Sequence, residues 1–440
     1  MKYREADAKH FELDLAAAAV KLARPWREKQ DLSPVARELA EARVVMLGEA
    51  THGTQEFYAL RARLTQELIQ NHGFNIVAVE GDWPACQRID DYVQGRDPVG
   101  ADPLRGFMRW PTWMWANTEV AKFTQWLRAH NERSARPVGF YGLDVYSLFE
   151  SIDETLKYLR GFDPFLAATV RGRYDCFAPF QKDERTYAKS LIPYPEGCAD
   201  EVTSILRDLL RLRVQPDADS SHRLFSARQN ARIVANAEDY YRTMVHGGDD
   251  SWNVRDRHML ETLEQILEHR GEDARAVVWA HNTHIGDHRA TDMREEGLVN
   301  IGGLARMKWG EDEVRLVGFG TFKGEVIAGA AWGGQTQVMK IPAARPGTLE
   351  DILHSVADAI GSPQFYLPLR KAPDIFDQKV DHRAIGVVFN PATERFGNYV
   401  PTELRRCYDT FVFVDRTSAL VPIPHGVDRK EIPETWPQGL

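Results

Sequence analysis

The sequence predicts an α/β fold: a mostly parallel central sheet flanked by helices, with a large helical insertion. Three observations carry this. First, residues 43–47 and 75–79 are compact β-rich runs, closed by Gly48 and by Glu80-Gly81. Between them, residues 54–71 place Phe57, Leu60, Leu64 and Leu68 at helical spacing. Strand, helix, strand over so short a stretch is a βαβ unit, which requires parallel strands. Second, two more short apolar runs fit the same sheet, at 137–141 before Gly142-Leu143-Asp144 and at 276–280 before His281. Third, residues 147–270 carry no convincing strand pattern and are rich in Leu, Arg, Asp and Glu.

Taken in order, the chain begins with a short amphipathic helix over 11–23. The first strand, its helix and the second strand follow, with His72-Gly73 ending the helix on a glycine stop. The third strand leads into the helical stretch, and the fourth follows it. Later β-rich runs lie at 314–319, 365–369, 384–389 and 410–414. Beyond Leu420, Pro422, Pro424, Pro433 and Pro437 predict a tail that wraps the surface. The expected organisation is an N-terminal core part (1–146), a helical insertion or cap (147–270), a C-terminal core part (271–420) and a surface tail (421–440).

Composition narrows the function classes. Of 440 residues, 43% are hydrophobic and 27% charged, the profile of an ordinary globular chain. The net charge of −9 repels phosphate backbones and argues against a nucleic-acid partner. No apolar run approaches bilayer length, so no membrane association is expected. The residues Met1-Lys2-Tyr3-Arg4-Glu5 lack the features of a signal peptide. Cys86, Cys176, Cys198 and Cys407 are widely spread and read as free thiols in a reducing cytoplasm. The oligomeric state is not legible.

Familiar catalytic motifs are absent: no G-x-S-x-G elbow, H-E-x-x-H, P-loop or G-x-G-x-x-G occurs. Ionisable residues instead gather after four strand ends. The first loop reads Gly48-Glu49-Ala50-Thr51-His52-Gly53, the second strand ends in Glu80-Gly81-Asp82-Trp83, the third at Asp144, and the fourth in His281-Asn282-Thr283-His284. The carboxyl edge of an open α/β sheet is where such folds bind ligands. His52, with Glu49 in reach, suits a general base. Arg61 falls on the inward helix stripe, so it needs a carboxylate partner in Glu49 or Glu80. His281, His284 and His288 admit two readings: second-base or oxyanion-stabilising groups, or ligands for Zn²⁺ or Mn²⁺ together with Glu49 or Glu80. The dense tryptophans Trp110, Trp113, Trp115 and Trp126 read as core packing, with a cleft wall as the alternative.

Three segments, 47–53, 79–83 and 279–284, resemble the erythromycin esterase family, whose members include succinoglycan biosynthesis protein homologues. Residues 110–120, 140–146, 253–259 and 383–387 look like it too, in the same order and spacing, so the likeness spans about 36–420. The resemblance implies a hydrolase that opens the lactone of macrolides, as in antibiotic resistance, without a metal or other cofactor. It places the family's essential histidine on His52, with Glu49, Arg61, Glu80, His281 and His284 as further catalytic residues. Trp83, Asp144, Arg255 and Tyr399 would line the substrate side. The expected chemistry is attack by His52-activated water on a small-molecule ester or lactone. Arg61 and His281 or His284 would stabilise the oxyanion, and Glu80 would fix Arg61. A metal-dependent hydrolase of peptides or acyl sugars built on His281, His284 and His288, and a non-catalytic ligand-binding protein, are the alternatives.

Overall fold

The computed structural model describes residues 2–26, 32–97, 102–180, 182–213, 218–246 and 250–424. Most of the 421–440 tail therefore lies outside the described residues. The described strands are β1 (Arg24–Pro25), β2 (Val44–Leu47), β3 (Ile76–Asp82), β4 (Gly139–Asp144), β5 (Ala276–Trp279) and β6 (Val314–Gly329). They continue with β7 (Thr336–Ile341), β8 (Gln364–Pro368), β9 (Lys379–Arg383), β10 (Tyr399–Glu403) and β11 (Thr410–Thr417). The main sheet runs β1-β8-β11-β6-β2-β5-β3-β4, and β7 pairs with the far part of β6. From β11 to β4 every neighbouring pair is parallel. β8, β1 and β7 join antiparallel, and β9 and β10 form a separate hairpin.

The α/β class and the mostly parallel sheet are as expected, and the reason lies in the strand composition. Along β2, Val44 and Met46 face one buried core while Val45 and Leu47 face the other. A strand covered on both faces can be apolar throughout, as parallel strands under helices are. The Gln55–His72 helix covers one face through Phe57, Leu60, Leu64 and Leu68. The Asp250–Arg270 helix covers the other through Met259, Leu263 and Ile266. Gly73, at φ +73°, ends the first of these in the left-handed region that favours glycine. Between Leu148 and Arg270 the described chain is helical, and its helices share a further core that includes Leu156, Leu159, Ile205 and Tyr241.

The structure departs from expectation at several points. β2 and β3 are parallel but not neighbours, because β5 lies between them, with Val277 paired to both Val45 and Val77. Local periodicity sets strand direction, not which strand closes the gap. Residues 384–389 form no strand. They cross the rim and touch other segments by single bridges, Ile385 to Thr51 and Val388 to Gly329. Their burial alone produced the β-like pattern. The first helix is longer than predicted, Lys2–Leu22.

The cysteines are not four free thiols. Cys176 and Cys198 form a disulfide with Cα atoms 6.0 Å apart, while Cys86 and Cys407 are buried outside any disulfide. The intervening Glu184–Ser190 helix brings the pair together, which spacing in sequence does not reveal. The thiol argument for a cytoplasmic location fails for this pair. Among the described residues, no helix is long and apolar enough to cross a membrane.

Candidate active site

The carboxyl ends of β2, β5, β3 and β4 stand side by side, so the loops that follow them converge. Glu49 and His52 come from the loop after β2. Its close approach to the β5 loop depends on Gly48, where a Cβ would lie 2.1 Å from Asn282 Oδ1. The Asn282 N–H donates to the Glu49 carbonyl at 2.9 Å, tying the two loops together. Glu80 sits where the register of β3 against β4 shifts, between Val79 and Asp82. Irregularities of this kind re-aim side chains at functional edges. Trp115 Nε1 donates to the Glu80 carbonyl at 2.8 Å, so the tryptophan cluster packs as core and braces this strand end.

Two buried charge groups meet at this rim. In the first, His52 Nδ1 lies 2.9 Å from Glu49 Oε1 and Arg61 Nη2 lies 2.7 Å from Glu49 Oε2. All three residues are fully buried. The guanidinium is close enough for an ion pair but is not aligned for a hydrogen bond. Arg61 also lies over the rings of Tyr58 (4.2 Å) and Trp279 (5.2 Å), where aromatic faces favour a cation.

In the second group, Arg255 donates from Nε and Nη2 to the two Asp144 oxygens at 2.9 and 2.6 Å. It also donates to Glu80 Oε1 at 2.8 Å. Its Nη1 lies 2.9 Å from His284 Nε2, and His284 Nδ1 lies 2.9 Å from both Asp256 oxygens. Burial opposes the Glu80 charge. His284, Arg255, His52 and the His281 N–H, which donates at 2.8 Å, outweigh it and hold the carboxyl well below its usual range. For His284, burial favours the neutral ring, but the Asp256 and Glu80 carboxylates prevail and raise its pKa.

His281 joins the two groups. Its ring centroid lies 4.8 Å from that of His52. Burial, His52 and His284 push its pKa well below 6.5, against Glu80 and the Ala50 carbonyl, so the ring is neutral. Its Nδ1 accepts from the Thr283 N–H at 3.3 Å and lies 2.8 Å from Thr283 Oγ1. That assignment leaves the ring hydrogen on Nε2. In its neutral form His52 has the opposite arrangement: Nδ1–H toward the Glu49 carboxylate leaves the lone pair on Nε2. Neither Nε2 has an aligned hydrogen-bond partner in the protein.

Several predicted residues sit elsewhere or do other work. Glu80 pairs with Arg255, not with Arg61. Asp144 and Arg255 are buried partners of each other rather than an open substrate wall. Trp83 opens the Trp83–Val93 helix and packs in the core against Tyr141 and Phe225, its Nε1 bonded to Ser226. His288 lies against Asn300 at 3.2 Å. Both nitrogens of His284 are engaged and one faces a guanidinium, so His281, His284 and His288 do not present a common set of ligand atoms. Among the described residues, the one grouping with metal-ligand spacing is Asp90, Asp91 and His222, and Arg96 already lies within 3.1 Å of all three. Tyr399 accepts from the Arg345 N–H and from Arg383, both at 3.0 Å. It lines a cavity of about 220 Å³ shared with Trp252, Thr283, Asn300 and Val400. That cavity adjoins the site through Thr283 and through Trp252, which stacks on His284 at 4.4 Å. Sequence reading missed Asp256, which orients His284. Its adjacency to Arg255 in the 253–259 block was the available signal.

A family model described as erythromycin esterase matches residues 69–417, a span that starts after Glu49, His52 and Arg61 and includes the other site segments. An erythromycin esterase type II of Escherichia coli is 22% identical over 337 residues, 70% of this chain and 76% of that one. The crystal structure of a succinoglycan biosynthesis protein superposes with a TM-score of 0.75 at 19% identity, over 93% of this chain and 98% of that one. A mutant erythromycin esterase in its open conformation superposes with a TM-score of 0.65 at 17% identity, over 90% and 98%. These structures share the fold. With well over half of its length inside the family match, the chain belongs to the erythromycin esterase family.

Proposed function

We propose that the protein is a carboxylic ester hydrolase acting on a small-molecule ester or lactone, the class that includes macrolides, by direct attack of water. The observation that carries this is the complementary state of two adjacent histidines. His52 Nε2 and His281 Nε2 are both buried on adjacent rings without an aligned partner. The contacts of the two Nδ1 atoms assign the lone pair to His52 Nε2 and the N–H to His281 Nε2. A base and a donor side by side are what ester hydrolysis requires. His52, oriented by Glu49, takes a proton from water as the oxygen attacks the carbonyl carbon. The His281 N–H and Arg61 hold the oxyanion. The proton on His52 then passes to the leaving alkoxide, giving a free acid and an alcohol.

Glu80, Asp144, Arg255, His284 and Asp256 position these groups. The Glu80 carboxylate accepts the His281 backbone N–H at 2.8 Å and so fixes the β5 loop. In this reading His284 is not a donor to substrate, because both of its nitrogens are taken. The Asp250–Arg270 helix, which covers one face of the sheet, supplies Arg255 and Asp256.

The test is a panel of simple esters, lactones and macrolides incubated with protein and followed by mass spectrometry for the gain of one water. Turnover of at least one member, lost in His52→Gln, is expected. No turnover across the panel, or an undiminished His52→Gln, refutes the reading.

A further inference from the structure

Seven buried side-chain atoms without an aligned hydrogen-bond partner in the protein belong to Glu49, His52, Tyr58, Arg61 and His281. Folded chains seldom leave such atoms unpaired, and clusters of them mark places where the partner is a ligand. Four of the five residues already have a role above. Tyr58 does not. It lies one helical turn before Arg61, is fully buried, and presents its ring face to the guanidinium at 4.2 Å. On its other side it meets Trp115 edge-on at 6.2 Å, the same tryptophan that braces the Glu80 carbonyl. The packing thus fixes the ring between the two halves of the site. Glu49, Arg61 and Glu80 are the charged groups that act on its hydroxyl. Burial and Glu49 push the phenol well above its usual value of 10, against the charge of Arg61 and a contact in which Arg61, a donor only, approaches the hydroxyl oxygen, so the hydroxyl keeps its hydrogen throughout the working range.

We propose that the Tyr58 hydroxyl is a further catalytic group, donating a hydrogen bond to the substrate carbonyl oxygen beside Arg61 and His281. This rests on the hydrolase reading. No proton leaves Tyr58; the hydrogen bond shortens as charge builds on the oxygen and relaxes when the carbonyl re-forms. A tyrosine with only a packing role would be expected to donate its buried hydroxyl hydrogen to a protein acceptor, or to be a phenylalanine.

Tyr58→Phe removes one oxygen and keeps the ring packing. Deleting a hydroxyl whose hydrogen has no protein acceptor should leave the melting temperature nearly unchanged. Loss of one oxyanion donor should lower kcat by about 10²-fold, with KM nearly unchanged. As an arm that needs no turnover, calorimetry with an alkyl phosphonate monoester, whose oxygens mimic the tetrahedral intermediate, should show weaker binding to the variant. Wild-type kcat in Tyr58→Phe, equal phosphonate affinity, or an activity loss that merely tracks a fall in melting temperature each overturns the assignment while the hydrolase reading stands. A wild-type protein that hydrolyses no ester yet binds phosphonate through Tyr58 refutes the hydrolase reading and with it the catalytic role, leaving Tyr58 as a donor to a bound oxyanion. Failure of both turnover and phosphonate binding overturns the two together.

Discussion

Arg255→Met is the sharpest probe of how the site is held. Among the described residues, Arg255 is the one cation in direct contact with both Glu80 and Asp144, two fully buried carboxylates. Methionine fills much of the same volume without charge, so the loss is electrostatic. Removing one partner of a buried, hydrogen-bonded ion pair costs about 3–5 kcal/mol. With an unfolding entropy of about 2.1 cal/mol/K per residue over 440 residues, each kcal/mol corresponds to about 1 °C. A fall in melting temperature of about 3–5 °C is therefore expected at pH 7. The pH dependence adds a check. The folded Glu80 carboxyl is held below its usual 4.5, so its stabilising contribution is complete above about pH 4.5 and declines as pH falls. In the variant the stranded carboxyls take up protons more readily, so the gap from wild type should narrow toward pH 4. Paired thermal melts at pH 7 and pH 4 measure both quantities. A gap near zero at pH 7, or one that widens in acid, would refute the ion-pair account of Glu80. Arg255→Lys should recover only part of the loss, because one ammonium cannot reproduce the fork that serves Asp144, Glu80 and His284.

Three further outcomes are expected. A single turnover in H₂¹⁸O should place label in the product acid and none on the protein, since His52 has no serine or thiol beside it among its contacts; a mass adduct on the quenched protein would show an acyl-enzyme instead. Turnover should survive exhaustive chelation, because His284 is saturated by Asp256 and Arg255; loss with EDTA and recovery with Zn²⁺ would revive the metal-dependent alternative. Burial, with Arg232, lowers His258 to about 3, so it stays neutral in the fold while the unfolded chain protonates below about pH 6.5. Stability should therefore fall on acidification by about 1.4 kcal/mol per pH unit from this residue. His258→Gln should flatten the pH profile of the urea midpoint, and an unchanged slope would count against a neutral buried His258.

The sequence by itself determined the α/β class, four of the parallel strands and the rim where their loops gather. These are local properties: apolar runs of strand length, a helical stripe such as Phe57, Leu60, Leu64 and Leu68, and polar residues directly after each run. It also paired His52 with Glu49 and showed that Arg61, on a buried helix stripe, needs a carboxylate in Glu49 or Glu80; that the carboxylate is Glu49 came only from the structure. Tertiary structure alone decided the rest. β5 enters between β2 and β3 from some 200 residues away, and only that insertion brings His281 against His52. The partner of Glu80 proved to be Arg255, not Arg61, because the Asp250–Arg270 helix crosses the sheet face beneath the rim. The Cys176–Cys198 bond and the core position of Trp83 were equally out of reach. Periodicity records which face of an element is buried, whereas pairing between distant segments depends on which of several equally apolar surfaces finally meet. The choice among charged partners, and with it which histidine nitrogen keeps a free lone pair, is made only at that contact.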